Sequence, residues 1–139
     1  MGKVFFTSKA TAKNGRDGHV KSDDGLIDFD LVNPLSKRDV KGSNPEQLFA
    51  AAYSACFDGA LNKVASKKSI TIDSETTAEI SFMEDDEHGG FKIGADLYVE
   101  IKGVSPEQAE DLVEAAHQVC PYSKATRGNI EVKLHPMAK

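Results

Sequence analysis

The sequence predicts an α+β domain in which antiparallel sheets pack against a buried central helix. Two observations support this prediction: two long segments whose apolar residues recur at every second position, and an apolar run of helical character after Pro45. A chain of 139 residues can build one domain with a substantial core, so we expect residues 1–139 to form a single domain.

Short strands are predicted before the central helix. Residues 3–32 alternate loosely between polar and apolar positions, and three Asn-Gly or Asp-Gly pairs interrupt them. This pattern predicts two or three short strands joined by turns. Residues 33–44 follow as a polar loop.

The central helix has a clear beginning. Ser43 or Asn44 can cap it, Pro45 suits its first turn, and it is expected to run to about Lys68. Nearly all side chains between 48 and 57 are apolar, and a helix that is apolar on every side is usually buried on every side.

A pair of antiparallel strands should follow the central helix. Residues 70–82 and 91–102 each alternate between apolar and charged side chains, as strands with one wet face do. The acidic, glycine-containing segment 84–90 is predicted to be the turn that joins them.

A second helix and a last strand complete the predicted order. Ser105 and Gln108 form a capping-box pattern, and the helix should end at Cys120 because Pro121 disfavours helical geometry in the residue before it. Residues 129–134 are predicted to form the final strand. The expected buried stripe of the helix consists of Ala109, Leu112, Ala116 and Val119.

Composition argues against two classes of partner. The net charge is −5 and no basic block occurs, so no nucleic-acid partner is expected. No apolar run approaches the ~18 residues that a membrane helix needs, and the first residues lack the apolar core of a signal peptide. We therefore expect a cytoplasmic protein that makes no membrane contact.

Two cysteines, Cys56 and Cys120, are the main candidates for chemistry. A lasting structural disulfide is unusual in a reducing cytosol, so a pair that is used there serves redox or metal chemistry. The alternative is two unrelated buried thiols. His117 lies three residues before Cys120, but no recognisable metal-ligand spacing occurs, and a metal site is not expected.

A reactive Cys56 would need a cation nearby, because burial in an apolar helix raises the pKa of a thiol. Arg16 is the best candidate, although an arginine at a hairpin turn is often simply exposed. Glu46 could balance its charge, since ten residues of straight helix place Glu46 ~15 Å from Cys56 and an arginine could bridge part of that gap. Asp58 is expected to point away from the thiol.

Three motifs together resemble one protein family. They are GRDGHV near the start, NPEQLFAAAYSACF around the first cysteine and VCPYSKATRGNIEV around the second. The whole chain resembles the organic hydroperoxide resistance (Ohr) branch of the Ohr/OsmC family. The residues CPYSKATRGN of the last motif favour the Ohr branch over the OsmC branch.

The resemblance implies an OsmC-like fold, an intertwined homodimer and thiol-dependent peroxidase activity without metal, haem or flavin. Cys56 matches the peroxidatic cysteine of the family and Cys120 the resolving one. Arg16 matches the arginine that activates the thiolate, and Glu46 matches the glutamate that holds this arginine.

The resemblance also indicates substrate and reductant. An external dithiol, such as dihydrolipoamide or a lipoylated protein, is the expected reductant, and no bound cofactor is expected. The apolar surroundings of Cys56 favour an alkyl or fatty-acid hydroperoxide. The residues that we expect near the substrate are Phe49, Phe57, Phe82 and Met83.

Three other functions stay open at this point, of which the third is a metal-binding module that metal analysis of the purified protein would test. The first is an OsmC-like peroxidase with broader specificity, which comparison of several peroxides would distinguish. The second is a non-enzymatic redox or hydrophobic-ligand binding module. In that case the thiol pKa of Cys56 would be normal or raised, and replacement of Arg16 would leave its reactivity unchanged.

Overall fold

The computed structural model describes residues 2–139. The chain divides into two compact units, one that ends at Leu48 and one that spans Phe49–Lys139. The formation of a single domain, completed by a second copy of the chain, stays a prediction. No helix among the described residues is both long and apolar enough to cross a bilayer.

The first unit contains a three-stranded antiparallel sheet, as the sequence predicts. Its strands are β1 (Ala10–Lys13), β2 (His19–Ser22) and β3 (Asp28–Asp30), in the order β1-β2-β3. A 3₁₀ turn, Gly15–Asp17, joins the first two. Gly18 ends this turn, and a Cβ there would lie 1.8 Å from the carbonyl oxygen of Lys13, so only glycine fits.

The central helix, α1, spans Pro45–Lys67 and begins where the sequence predicts. Asn44 caps it, since its side-chain oxygen accepts a hydrogen bond from the backbone N–H of Gln47 at 2.8 Å. Its buried residues follow one face: Tyr53, Phe57, Ala60, Leu61 and Ala65.

Burial of α1 on every side is not found within the single chain. Ala51, Ala55 and Gly59 are exposed, although all three are small and apolar. A helix with apolar side chains on every side can be buried on every side. Within a single chain, however, one sheet and its helices cover only one face of α1.

The second unit is built on a sheet of β4 (Asp73–Glu84), β5 (Phe91–Lys102) and β6 (Val132–Ala138). The antiparallel pairing of β4 with β5 along their whole length confirms the predicted strand pair. The last pair differs, because β6 runs parallel to β5 and not antiparallel. β6 also begins and ends later than the predicted strand 129–134.

The parallel pairing follows from the chain between β5 and β6. That connection contains two helices, α2 (Pro106–Val119) and α3 (Pro121–Thr126). A helical crossover returns the chain to the end of the sheet at which β5 begins. The next strand therefore runs in the same direction as β5.

The start of α2 is as predicted. Ser105 accepts from the N–H of Gln108, and the Gln108 side chain accepts from the N–H of Ser105, which completes a capping box. The predicted stripe is wrong at its end, because Val119 is 47% exposed while Cys120 is fully buried. Four residues after Ala116, Cys120 continues the buried stripe of the helix.

The core of the second unit lies between the sheet and the helices. β5 contributes Leu97, Val99 and Ile101, all without exposed surface, and Leu112 of α2 is 1% exposed. Each such side chain stabilises the fold by about 1.5–3 kcal/mol relative to an exposed position. The core therefore holds α1 and α2 firmly against the sheet.

Candidate functional site

The two cysteines lie side by side in the second unit. Both are free thiols, and their sulfur atoms are 3.6 Å apart although 64 residues separate them in sequence. Cys56 is partly exposed near the middle of α1, whereas Cys120 has no exposed surface. A disulfide would require the sulfurs to approach by only ~1.5 Å.

Cys120 occupies the junction between α2 and α3. Its N–H donates to the carbonyl of Ala116 at 2.8 Å, and its own carbonyl accepts from the N–H of Lys124 at 3.0 Å. Its backbone is extended, with φ −61° and ψ 123°, as expected before Pro121. The junction therefore fixes the backbone on both sides of the second thiol.

The surroundings of Cys56 within the second unit disfavour its thiolate. Burial raises the pKa of the Cys56 thiol above its ordinary value, and the neighbouring Cys120 raises it further. A hydrogen bond from the backbone N–H of Tyr122 to the sulfur acts in the opposite direction. A thiolate at neutral pH therefore requires a positive charge from elsewhere.

Arg16 and Glu46 form a two-pronged ion pair in the first unit. Arg16 Nη2 donates to Glu46 Oε1 at 2.8 Å, and Nη1 donates to Oε2 at 2.9 Å. This contact raises the pKa of Arg16 and lowers the pKa of Glu46. Arg16 is therefore charged, and its guanidinium plane is fixed by the carboxylate.

A groove of about 370 Å³ opens beside Cys56. One side is formed by α1, and the other side is formed by Val119 and Pro121 at the junction of α2 with α3. The residues of α1 that line it are Cys56, Gly59, Ala60, Lys63, Val64 and Lys67. The groove is thus mostly apolar near the thiol and carries two lysines further along the helix.

A polar network connects α3, which follows the second cysteine in sequence, with α1 and α2. The Tyr53 hydroxyl is hydrogen-bonded to Ser123 Oγ at 2.8 Å and to Thr126 Oγ1 at 3.2 Å. Ser123 Oγ also contacts Nδ1 of His117 at 2.8 Å, and Arg127 donates to the carbonyl of His117 at 2.6 Å. The network ties α3 to both longer helices.

Comparison with known proteins identifies the family. The model of the family described as OsmC-like protein matches residues 38–135. The organic hydroperoxide resistance protein OhrB of Bacillus subtilis is 57% identical over 132 residues, which cover 94% of this chain and 97% of that protein. The chain belongs to the OsmC-like family. OhrA of the same organism is 45% identical over 137 residues, covering 96% of this chain and 97% of OhrA.

Solved structures agree with this assignment. The crystal structure of Bacillus subtilis OhrB has a TM-score of 0.92 and 54% identity, and the match covers 98% of this chain and 100% of that one. An organic hydroperoxide resistance protein from Elizabethkingia anophelis, crystallised with thiocyanate bound, also has a TM-score of 0.92, at 48% identity over 99% of this chain and 100% of that one. The predicted OsmC-like fold and the resemblance to the Ohr branch are confirmed.

Two polar residues of the OsmC-like chain have contacts that the sequence only partly indicates. Asp58 accepts hydrogen bonds from the hydroxyls of Ser74 and Thr76, both at 2.9 Å, so its carboxylate faces β4. Lys63 lines the groove beside Cys56. Helical spacing could have revealed this, since positions three, four, seven and eight residues apart share a face.

The four residues expected near the substrate occupy different places. Phe57 is fully buried in the core, and Phe49 packs edge-on against Tyr122 with ring centres 6.3 Å apart. Phe82 stacks on Phe91 at 4.8 Å, and Met83 lies beside it on β4. These four side chains do not line the groove, and their part in substrate binding stays a prediction.

Among the described residues of the OsmC-like chain, no group of three His, Cys, Asp or Glu side chains is arranged to hold a metal ion. The side chains of His117 and Cys120, whose spacing could suit a pair of metal ligands, make other contacts. His117 binds Ser123, and Cys120 faces Cys56.

Proposed function

We propose that this OsmC-like protein is a cysteine-based peroxidase that reduces organic hydroperoxides to alcohols. The observation that supports it best is the approach of two free thiols to 3.6 Å, one partly exposed in an apolar groove and one fully buried. Relatives with 57% and 45% identity are named organic hydroperoxide resistance proteins.

In the first step the Cys56 thiolate attacks the distal oxygen of the hydroperoxide, ROOH. The S–O bond forms as the O–O bond breaks, and the leaving alkoxide takes up a proton to become the alcohol. The sulfur gives up two electrons in this step and becomes a sulfenic acid.

In the second step the Cys120 sulfur attacks the sulfenic sulfur of Cys56. The S–S bond forms, the S–O bond breaks, and hydroxide leaves with the proton of Cys120 as water. This disulfide protects Cys56 from further oxidation. The short distance between the thiols supports rapid condensation.

An external dithiol closes the cycle. It attacks the disulfide, supplies two electrons and two protons, and leaves as its own disulfide while both cysteines return to thiols. We propose dihydrolipoamide or a lipoylated protein as this reductant, because a vicinal dithiol can complete both exchange steps within one molecule.

Arg16 is proposed to activate the thiolate, and Glu46 to hold Arg16 in position. The need for a cation is supported by the raised pKa of Cys56, and the availability of one by the charged, oriented Arg16–Glu46 pair. Arg16 lies in GRDGHV, one of the three motifs that resemble the Ohr branch.

The working unit is proposed to be a homodimer. Phe5, Phe6 and Leu26 of the first unit are more than four-fifths exposed, at 83%, 83% and 85%. Ala51 and Ala55 leave an uncovered apolar line along α1. Apolar surface of this kind on an isolated chain is typical of a face that another subunit covers.

The decisive experiment compares cumene hydroperoxide with hydrogen peroxide. The reduced protein is mixed with each peroxide, and peroxide loss and free thiols are followed over time. Fast loss of both thiols with cumene hydroperoxide and slow loss with hydrogen peroxide is expected, because an apolar groove gains from burying the organic group. Equal rates would favour the peroxidase of broader specificity. Free thiols that persist with both peroxides would refute the enzyme and leave a redox or ligand-binding module.

A further inference from the structure

The groove beside Cys56 changes character along its length. Next to the thiol it is lined by Gly59, Ala60 and Val64, whereas Lys63 and Lys67 line the part further along α1. Of the eight residues that line the groove, none carries a carboxylate. The groove therefore offers an apolar wall followed by positive charge.

The two lysines are unpaired within the described part of the chain. Within residues 2–139, neither Lys63 nor Lys67 forms an ion pair or side-chain hydrogen bond. Other lysines of this unit do, for example Lys139 with Glu100 at 3.3 Å and Lys133 with Glu131 at 3.5 Å. The groove thus contains two ammonium groups that no described residue of the same chain neutralises, and an anion is the partner that they would bind.

We propose that Lys63 and Lys67 bind the carboxylate of a fatty-acid hydroperoxide whose peroxide group reaches Cys56. This inference rests on the proposed peroxidase function and specifies its substrate: an ionised, unbranched acid in preference to a neutral ester. Charge complementarity selects the carboxylate, and the apolar wall between it and the thiol accommodates the alkyl chain.

Helix geometry sets the length of that chain. Lys63 lies seven residues and Lys67 eleven residues after Cys56, which at 1.5 Å per residue is roughly 10 Å and 16 Å along the axis of α1. An extended alkyl chain advances ~1.25 Å per carbon–carbon bond. The preferred acid therefore carries its hydroperoxide ~8–13 bonds from the carboxylate.

The test compares an acid of this geometry with its methyl ester. For the intact protein we expect a kcat/KM for the acid about three- to tenfold above that for the ester, as two partly solvated ion pairs provide. The double variant Lys63→Gln/Lys67→Gln should bring this ratio close to one. The matched control Lys68→Gln/Lys102→Gln removes two exposed charges outside the groove and should leave the ratio unchanged. An acid with its hydroperoxide only a few bonds from the carboxylate should show no preference over its ester.

The results separate this inference from the proposed function. Turnover of cumene hydroperoxide together with an acid-to-ester ratio that is close to one, or that the double variant leaves unchanged, overturns the lysine site alone. The dissociation constants of the product hydroxy acid and its methyl ester are measured in parallel. If no peroxide is turned over, tighter binding of the acid that is lost in the double variant supports the site while the peroxidase fails. Equal binding of acid and ester overturns the site as well.

Discussion

The carboxylate of Glu46 holds the guanidinium of Arg16 through two hydrogen bonds of 2.8 and 2.9 Å. The two side chains are 30 residues apart in sequence, and Glu46 stands in the first turn of α1. Parallel N–H···O contacts fix both the position and the plane of the arginine, which a single contact would not do.

Loss of this cation should raise the pKa of the Cys56 thiol. Replacement of Arg16 by alanine is expected to shift that pKa upward by about 1 unit or more and to slow peroxide consumption at neutral pH about tenfold or more. Because the thiolate is the reactive form, the alkylation rate of Cys56 by iodoacetamide should rise at higher pH in the variant than in the parent.

Two further variants complete this experiment. Lysine at position 16 should restore only part of the rate, because it cannot make the two-pronged contact with Glu46. The control is Arg38→Ala, which removes an exposed arginine of the same unit that pairs with Asp17 at 2.9 Å. An unchanged pH profile in Arg16→Ala would contradict the activating role.

Cys120 should protect Cys56 from irreversible oxidation. In Cys120→Ser, Cys56 should react once with cumene hydroperoxide and then progress to sulfinic and sulfonic acids as more peroxide is added. Cys56→Ser should consume no peroxide. Mass spectrometry of the intact chain after stepwise addition distinguishes these states. A Cys120→Ser variant that stays catalytic with a dithiol and gains no oxygen would show that resolution does not need this thiol.

The hydroxyl of Tyr53 should stabilise the second unit. It is fully buried and shared between Ser123 and Thr126, so Tyr53→Phe should lower the free energy of unfolding by about 1–3 kcal/mol. Tyr122→Phe is the matched control, because the Tyr122 ring is 38% exposed and its hydroxyl has no hydrogen bond among the described residues. Urea unfolding measures both, and equal losses would mean that the network adds little.

Protonation of His117 should oppose folding. Burial lowers the pKa of His117 below its ordinary value of 6.5, so the unfolded chain binds a proton at a higher pH than the folded chain. Below pH 6.5 unfolding therefore takes up a proton. As the pH decreases, this group should lower the free energy of unfolding by at most ~1.4 kcal/mol per pH unit.

Comparison of variants isolates this contribution from those of other titrating groups. His117→Gln should flatten the decline of the unfolding free energy between pH 6.5 and 5.5 relative to the parent. Equal slopes in the parent and His117→Gln would contradict the assignment.

Features encoded in short stretches of sequence were predicted well. The alternation in β4 and β5, the cap at Asn44 and the capping box at Ser105 each depend on neighbours a few residues apart. The direction of the last strand and the position of the buried stripe at the end of α2 were harder to predict. The parallel pairing of β6 depends on the crossover of α2 and α3, and the buried position of Cys120 in place of Val119 depends on where α2 ends.

The candidate site divides in the same way. The proximity of Cys56 to Cys120 could not follow from a separation of 64 residues and came from resemblance to a family. The pairing of Arg16 with Glu46 was suggested by charge balance and supported by that resemblance. The lysines of the groove were within reach of sequence reasoning, because the helical period places Lys63 and Lys67 on the face of Cys56. They were given no role because lysines on a long helix are usually solvated.

The junction at Cys120 bears on how quickly the two thiols can combine. Both peptide groups of this residue are engaged by the helices on either side, so folding has already met the entropic cost of bringing two distant thiols together. Only rotation about side-chain bonds remains to close the 3.6 Å between the two sulfur atoms. The sulfenic acid would thus meet its partner at a very high effective concentration, well before a second peroxide molecule arrives by diffusion.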